Sequence, residues 1–153
     1  MSSAIEAVTA AGIPHDVIRH GPVGNAAEAA AVRGVDVRDL VKTLVVRRAD
    51  DDYLFVLVPG DRAISWPKLR TLLGVNRLSM PDAATARDAT GYERGTITPF
   101  GSRRPWPVIA DETLRGRTVA LGAGEHGVAL RVGADAAVRT LGGTFADVTD
   151  LAG

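Results

Sequence analysis

The sequence predicts an α+β fold, a single domain over residues 1–153 with a mixed β-sheet, hairpins and short surrounding helices. Three observations carry this. Helical and strand patterns of short length are interleaved along the chain. Residues 53–59, Tyr-Leu-Phe-Val-Leu-Val-Pro, are apolar at nearly every position, as in a central strand covered on both faces. Two pairs of strand patterns, 41–47 with 53–59 and 117–121 with 128–132, are joined by turns and form hairpins, so the sheet is not a doubly wound parallel one.

Taken in order, residues 5–12 read as a short amphipathic helix ended by Gly12, and residues 15–20 as a strand closed by the turn Gly21-Pro22. Asn25 with Glu28 three positions on is a capping-box arrangement for an alanine-rich helix over 26–33, stopped by Gly34. A turn of helix over 37–40 leads into the strand 41–47. Alternation there puts Val41, Thr43 and Val45 on one face and Lys42, Leu44 and Val46 on the other. Ser65 caps a helix with Pro67 in its first turn and Leu69, Leu72 and Leu73 as its buried stripe, before Gly74. A brief strand at 77–80 precedes a helix over 81–90. Beyond the 91–101 stretch lie a strand at 107–110, the second hairpin, a helix at 134–141 and a last short strand at 145–148.

Composition narrows the function classes. Apolar content of 46% and charged content of 24% are ordinary for a globular protein. Eighteen basic and eighteen acidic residues cancel, so any contact with RNA rests on a local patch, and no DNA partner is expected. There is no cysteine, which removes a thiolate nucleophile, a protein disulfide and cysteine-ligated zinc together. The first residues lack a basic segment followed by an apolar one, and no apolar run approaches the roughly 20 residues of a membrane span. A cytoplasmic protein with no membrane partner is expected.

Three stretches are candidates for chemistry. The 91–101 stretch, Gly-Tyr-Glu-Arg-Gly-Thr-Ile-Thr-Pro-Phe-Gly, is either a connector or a shaped binding wall whose glycines admit a close ligand. Lys42 begins an apolar strand face. It either snorkels to solvent or stands as a cation at a pocket mouth, aimed at a phosphate or a developing anion. The third stretch, Gly122-Ala123-Gly124-Glu125-His126-Gly127, is either a flexible hairpin turn or another wall. There, His126 is either solvated or a general base. Asp111 caps the helical turn begun by Glu112 or binds a substrate amine; Arg103-Arg104 are a phosphate contact or a solvated pair. The three histidines show no metal-ligand spacing, and neither a G-x-S-x-G elbow nor a Walker or dinucleotide fingerprint occurs.

Lys42-Thr43-Leu44-Val45-Val46, the 91–101 stretch and the 122–127 stretch follow one another in the order, and over the span, of the YbaK-like, prolyl-tRNA-synthetase-associated editing domain family, which the chain resembles. The resemblance implies that Lys42 is the signature residue, in contact with the terminal adenosine and the scissile ester of an aminoacyl-tRNA. Gly91, Tyr92, Gly95, Pro99, Phe100 and Gly101 match the family's loop as they stand. Thr96 occupies a place where the family often has another glycine, which would narrow the pocket. Lys42 is thus the implied catalytic residue. The implied substrate-binding set is Thr43, Tyr92, Gly95, Thr96, Thr98, Pro99, Phe100, Gly101, Gly122, Gly124 and His126.

The implied function is a trans-acting aminoacyl-tRNA deacylase that clears a small amino acid and uses no metal and no cofactor. Its partners would be the tRNA acceptor end and a tRNA synthetase. Thr43 after Lys42 resembles the cysteine-clearing branch, where the alanine-clearing branch tends to carry asparagine; cysteine is therefore favoured, with alanine and serine as rivals. The other readings are a non-catalytic sensor of an aminoacyl or nucleotide ligand on the same scaffold, and a small-ester hydrolase unrelated to tRNA.

Overall fold

The computed structural model describes residues 3–152. The strand Val41–Ala49 (β2) turns through Asp51, held at φ 54°, into Asp52–Pro59 (β3), and the two pair antiparallel with Lys42 opposite Val58. Two further strands, Val108–Asp111 (β5) and Thr144–Ala146 (β8), add in parallel and give a four-stranded mixed sheet in the order β2-β3-β5-β8. A second sheet is antiparallel: His15–Arg19 (β1) and Thr118–Gly122 (β6) flank Val128–Gly133 (β7). The two sheets meet where β2 begins, through a bridge between Leu40 and Ala120. A small antiparallel pair, Arg62–Ile64 (β4) with Thr149–Leu151 (β9), closes one corner.

Period-two alternation explains why β3 is apolar throughout. Tyr53, Phe55 and Leu57 enter one core cluster with Val41 and Val45, against β6, β7 and the helix Ala134–Thr140 (α5). Leu54, Val56 and Val58 enter a second cluster with Val46, Leu69 and Ile109, and Leu44 packs beside it. Both faces of β2 are therefore as the sequence pattern predicts. Each fully buried aliphatic side chain here contributes about 1.5–3 kcal/mol. Trp106 closes the first cluster edge-to-face on Tyr53, with centroids 5.2 Å apart and planes at 82°, and donates its indole N–H to Ala89 O.

The helices begin and end where the capping residues require. In Ala26–Arg33 (α2), Asn25 accepts from the Glu28 N–H while Glu28 reaches back to the Gly24 N–H, one residue before the ideal capping-box donor. Gly34 ends it at φ 73°. Ser65 caps Trp66–Leu73 (α3), and Asp82 caps Ala83–Thr90 (α4), so that helix starts two residues later than its pattern suggests. The first helix is Ser3–Ala10 (α1). Asp111 caps the 3-10 turn Glu112–Leu114, accepting from the Thr113 N–H.

Four expectations need correction. The strand expected at 77–80 is only a single bridge, Arg47 with Ser79, because Arg77, Ser79 and Met80 are exposed and Pro81 ends the pairing. Leu72 is 49% exposed: Leu69 and Leu73, four apart, define the inner face of α3, and Leu72 falls at its margin. The last strand divides into β8 and β9, since the chain leaves β5, buries Val148 and then joins β4. The three-residue β4 was not anticipated, being too short to show a period.

Candidate active site

β2 lies at the edge of its sheet, and an edge strand presents backbone N–H and C=O groups with no ladder partner. A cavity of about 720 Å³ runs along that edge, and six consecutive residues, 40 to 45, form one wall. Met80, Pro81 and the first turn of α4 form the second; Arg94, Gly95, Ile97 and Gly122 form the third. The lining is mostly aliphatic, with the cations Arg33, Lys42 and Arg94 and the single carboxylate of Asp82 at its margins. Asp82 accepts from the Thr85 N–H, which holds its carboxyl below the usual range.

Lys42 is partly buried. Its Nζ donates to Arg62 O at 2.7 Å, which leaves two of the three ammonium protons without a protein partner among the described residues. Burial pulls its pKa below the ordinary lysine value, and the Asp61 carboxylate partly restores it. Beside it, the Thr43 hydroxyl is buried and makes no hydrogen bond among the described residues, a condition that costs about 1–3 kcal/mol.

The two glycine stretches are in contact. The Gly124 N–H donates to Thr96 O at 2.9 Å, and a Cβ on Gly122 would stand 3.2 Å from the carbonyls of Thr96 and Ile97. A side chain at Gly122 would press on those carbonyls and push the hairpin outward by a few tenths of an ångström. The structure thus brings Lys42, Thr43, Gly95 and Gly122 to one cavity.

The other residues singled out from the sequence lie elsewhere. Tyr92 is buried and donates its hydroxyl to Phe100 O at 2.7 Å; burial pushes its pKa up to about 12. Thr98, Pro99 and Phe100 are buried behind the loop, and Gly101 and Gly124 are pressed against Tyr92. Thr96 is 2% exposed and turns its hydroxyl back to Glu93 O, so Ile97 takes the cavity position expected of it. His126 is exposed, 3.5 Å from Glu93, and stands on a second concavity with His20, Arg33 and Gly95. Arg103 and Arg104 are away from both: Arg104 stacks on Trp106 and pairs with Asp51.

Arg33, Arg94, Ile97 and the start of α4 were not singled out from the sequence. Arg33 carries no local signal, since an arginine ending a helix is ordinary. Arg94 and Ile97 sit inside the glycine stretch that drew attention for its backbone. Among the described residues, no group of three or more histidines and acids could hold a metal ion, and no helix is long and apolar enough to cross a membrane.

The chain is similar to proteins already known. EbsC of Enterococcus faecalis, which carries the name of a Cys-tRNA(Pro)/Cys-tRNA(Cys) deacylase, is 25% identical over 117 residues, covering 76% of this chain and 71% of EbsC. The proline–tRNA ligase of Caldicellulosiruptor saccharolyticus is 39% identical over 67 residues, which is 44% of this chain and only 12% of the ligase. Among solved structures, one described as a trans-editing enzyme for prolyl-tRNA synthetase superposes with a TM-score of 0.86 at 26% identity, covering 95% of this chain and 93% of that one. The model of the aminoacyl-tRNA editing domain matches residues 20–140. With that match over most of its length, the chain belongs to the aminoacyl-tRNA editing domain family.

Proposed function

We propose that the protein is an aminoacyl-tRNA deacylase acting in trans, which hydrolyses the ester between a small amino acid and the terminal ribose of a mischarged tRNA. The observation that carries this is the position of Lys42, a cation without a carboxylate within 4.0 Å among the described residues, on the wall that faces Gly95 and Gly122. Family membership supports the reaction class. The similarity to a structure described as a trans-editing enzyme, over most of both chains, supports action in trans.

In this reading the aminoacyl end enters along the β2 edge. Water, or a nucleophilic group of the substrate itself, attacks the ester carbonyl carbon. Charge builds on the carbonyl oxygen, the bond to the ribose oxygen breaks, and the ribose leaves with a proton. Lys42 binds and polarises the ester, and backbone groups around Gly95 and Gly122 enclose the amino acid. Positioning and charge stabilisation carry the rate enhancement, with no protein nucleophile. Thr43 follows Lys42 on the cavity wall. Together with the 25% identity to EbsC, it favours cysteine over alanine and serine.

A second reading, a non-catalytic binder of an aminoacyl or nucleotide ligand, draws on one observation: the cavity lining holds no histidine or glutamate to activate water. Turnover separates the two. Single-turnover hydrolysis of tRNA charged in turn with cysteine, alanine, serine and leucine should clear cysteine fastest and leave leucine, and EDTA should not inhibit it. Faster clearance of leucine defeats the small-amino-acid reading, loss of activity restored by zinc defeats metal independence, and no clearance of any charge favours the binder.

A further inference from the structure

A second concavity, about 520 Å³, adjoins the first, and the two share Arg33 and Gly95 as a common wall. Its other sides come from His20 to Val23 and from the end of the hairpin stretch, Glu125 to Val128. Glycine backbone shapes this junction. Gly95 stands at φ 88° beside the His126 ring, and a Cβ on Gly127 would meet His20 O at 2.6 Å.

The charge at the junction is unbalanced. Among the described residues, eight lysines and arginines are partly buried, and five of them have a carboxylate within 4.0 Å. Among the described residues Arg33, Lys42 and Arg70 do not, and the first two wall the cavity. Arg33 is therefore a partly desolvated guanidinium without a counter-ion, at the rim between two concavities. Burial holds its pKa below the ordinary arginine value.

Its orientation is fixed. The Arg33 Nε–H donates to His20 Nε2 at 3.4 Å, and the other ring nitrogen of His20, Nδ1, lies 2.8 Å from Gly21 O. In that pattern Nε2 accepts from Arg33 and Nδ1 donates to Gly21 O. The terminal guanidinium nitrogens make no hydrogen bond among the described residues and remain available. A planar fork of donors suits a phosphate better than a point charge would. Glu125, the one acid on this groove, has Arg19 at 4.0 Å to offset it.

We propose that the second concavity receives the nucleotide preceding the terminal adenosine of the tRNA strand, with Arg33 on the phosphodiester that joins the two. This rests on the proposed function, in which the aminoacyl end enters along the β2 edge, and it takes the terminal adenosine to sit in the larger cavity with its amino acid. His20 is then a positioning residue that holds the guanidinium at the rim, and the imidazole of His126 is placed to stack with or hydrogen-bond the base.

The test is binding, by fluorescence anisotropy or nuclear magnetic resonance titration, of an uncharged RNA oligonucleotide ending in CCA, with adenosine, adenosine monophosphate and inorganic phosphate as separate arms. The wild type should bind the oligonucleotide more tightly than any of the three. Arg33→Gln should weaken the oligonucleotide about tenfold and reduce the slope of log affinity against log salt by about 0.7, the value for one phosphate on a single strand. Arg33→Lys should keep most of the slope, and adenosine should be affected less than twofold. A slope unchanged in Arg33→Gln, an equal loss for adenosine, or inorganic phosphate binding as tightly as the oligonucleotide overturns the proposal. Circular dichroism melts of each variant show whether it has folded. Deacylation is scored apart: a wild type inert on every mischarged tRNA defeats the proposed function, while Arg33-dependent oligonucleotide binding still reports on the groove.

Discussion

The glycine-rich stretch 91–101 contains two regions of different employment. Its ends, Tyr92 and residues 98–100, are almost wholly buried, and Tyr92 ties them together by its hydrogen bond to Phe100 O. Its middle, from Glu93 to Ile97, is largely exposed and supplies Arg94, Gly95 and Ile97 to the cavity wall. Thr96 is the exception within the middle, buried under the hairpin stretch. Glycine serves close packing in the first region and an open approach in the second. The anchor ties together the two ends of the lip, and the lip lines the cavity. Substitutions in the two should therefore separate stability from activity.

The largest expected effect is in the anchor. A Cβ on Gly101 would lie 2.5 Å from the backbone of Ser3 and 2.7 Å from the Tyr92 hydroxyl, at a φ of 69°. Gly101→Ala should cost about 3 kcal/mol or more and lower the melting temperature by roughly 6–12 °C. A melt within 2 °C of wild type would mean that the end of the loop is not packed as described.

Tyr92→Phe comes next. It leaves the Phe100 carbonyl without its donor and should cost about 1–3 kcal/mol. The wild type carries a pH signature here. The folded phenol sits at about 12 and the unfolded one at roughly 10, so the fold favours the neutral form. The stability this contributes is fully present below pH ~10 and is lost as pH rises through about 12. Urea midpoints at pH 8 and pH 11 should fall in the wild type, with that part of the fall missing in Tyr92→Phe.

The smallest stability effect belongs to the lip. A Cβ on Gly95 meets only the His126 ring, at 3.8 Å, so Gly95→Ala carries the strain of φ 88° without a clash. It should cost about 1 kcal/mol in stability and about tenfold in kcat/KM, because the substituted atom borders the cavity. Equal proportional losses at Gly95 and Gly101 would erase the distinction between lip and anchor.

Much of the fold is legible in the sequence because its signals are local. The caps at Asn25 and Ser65 and the doubly covered β3 can each be read within a few residues. What is not legible depends on distant partners. The exchange between β8 and β9 is set by β5 and β4, and the single bridge at Ser79 by Arg47. The site divides along the same line. Lys42, Thr43, Gly95 and Gly122 stand out by type and place, and the structure brings them to one cavity. Sequence does not say which residues of a glycine loop face inward, so Thr98 and Phe100 look like Gly95 until the core is built. Arg33 shows nothing until the end of α2, Gly95 and the hairpin stretch come together around one concavity.

Lys42 is proposed to act on the ester from the cavity wall. Its most direct test is single-turnover deacylation of a mischarged tRNA by Lys42→Ala, alongside its thermal melt. The account predicts a loss of roughly 10²-fold or more, the scale of one transition-state charge contact, with the melting temperature nearly unchanged. A folded Lys42→Ala that deacylates at the wild-type rate would contradict it and leave Lys42 a lysine that merely reaches past a sheet edge to Arg62 O.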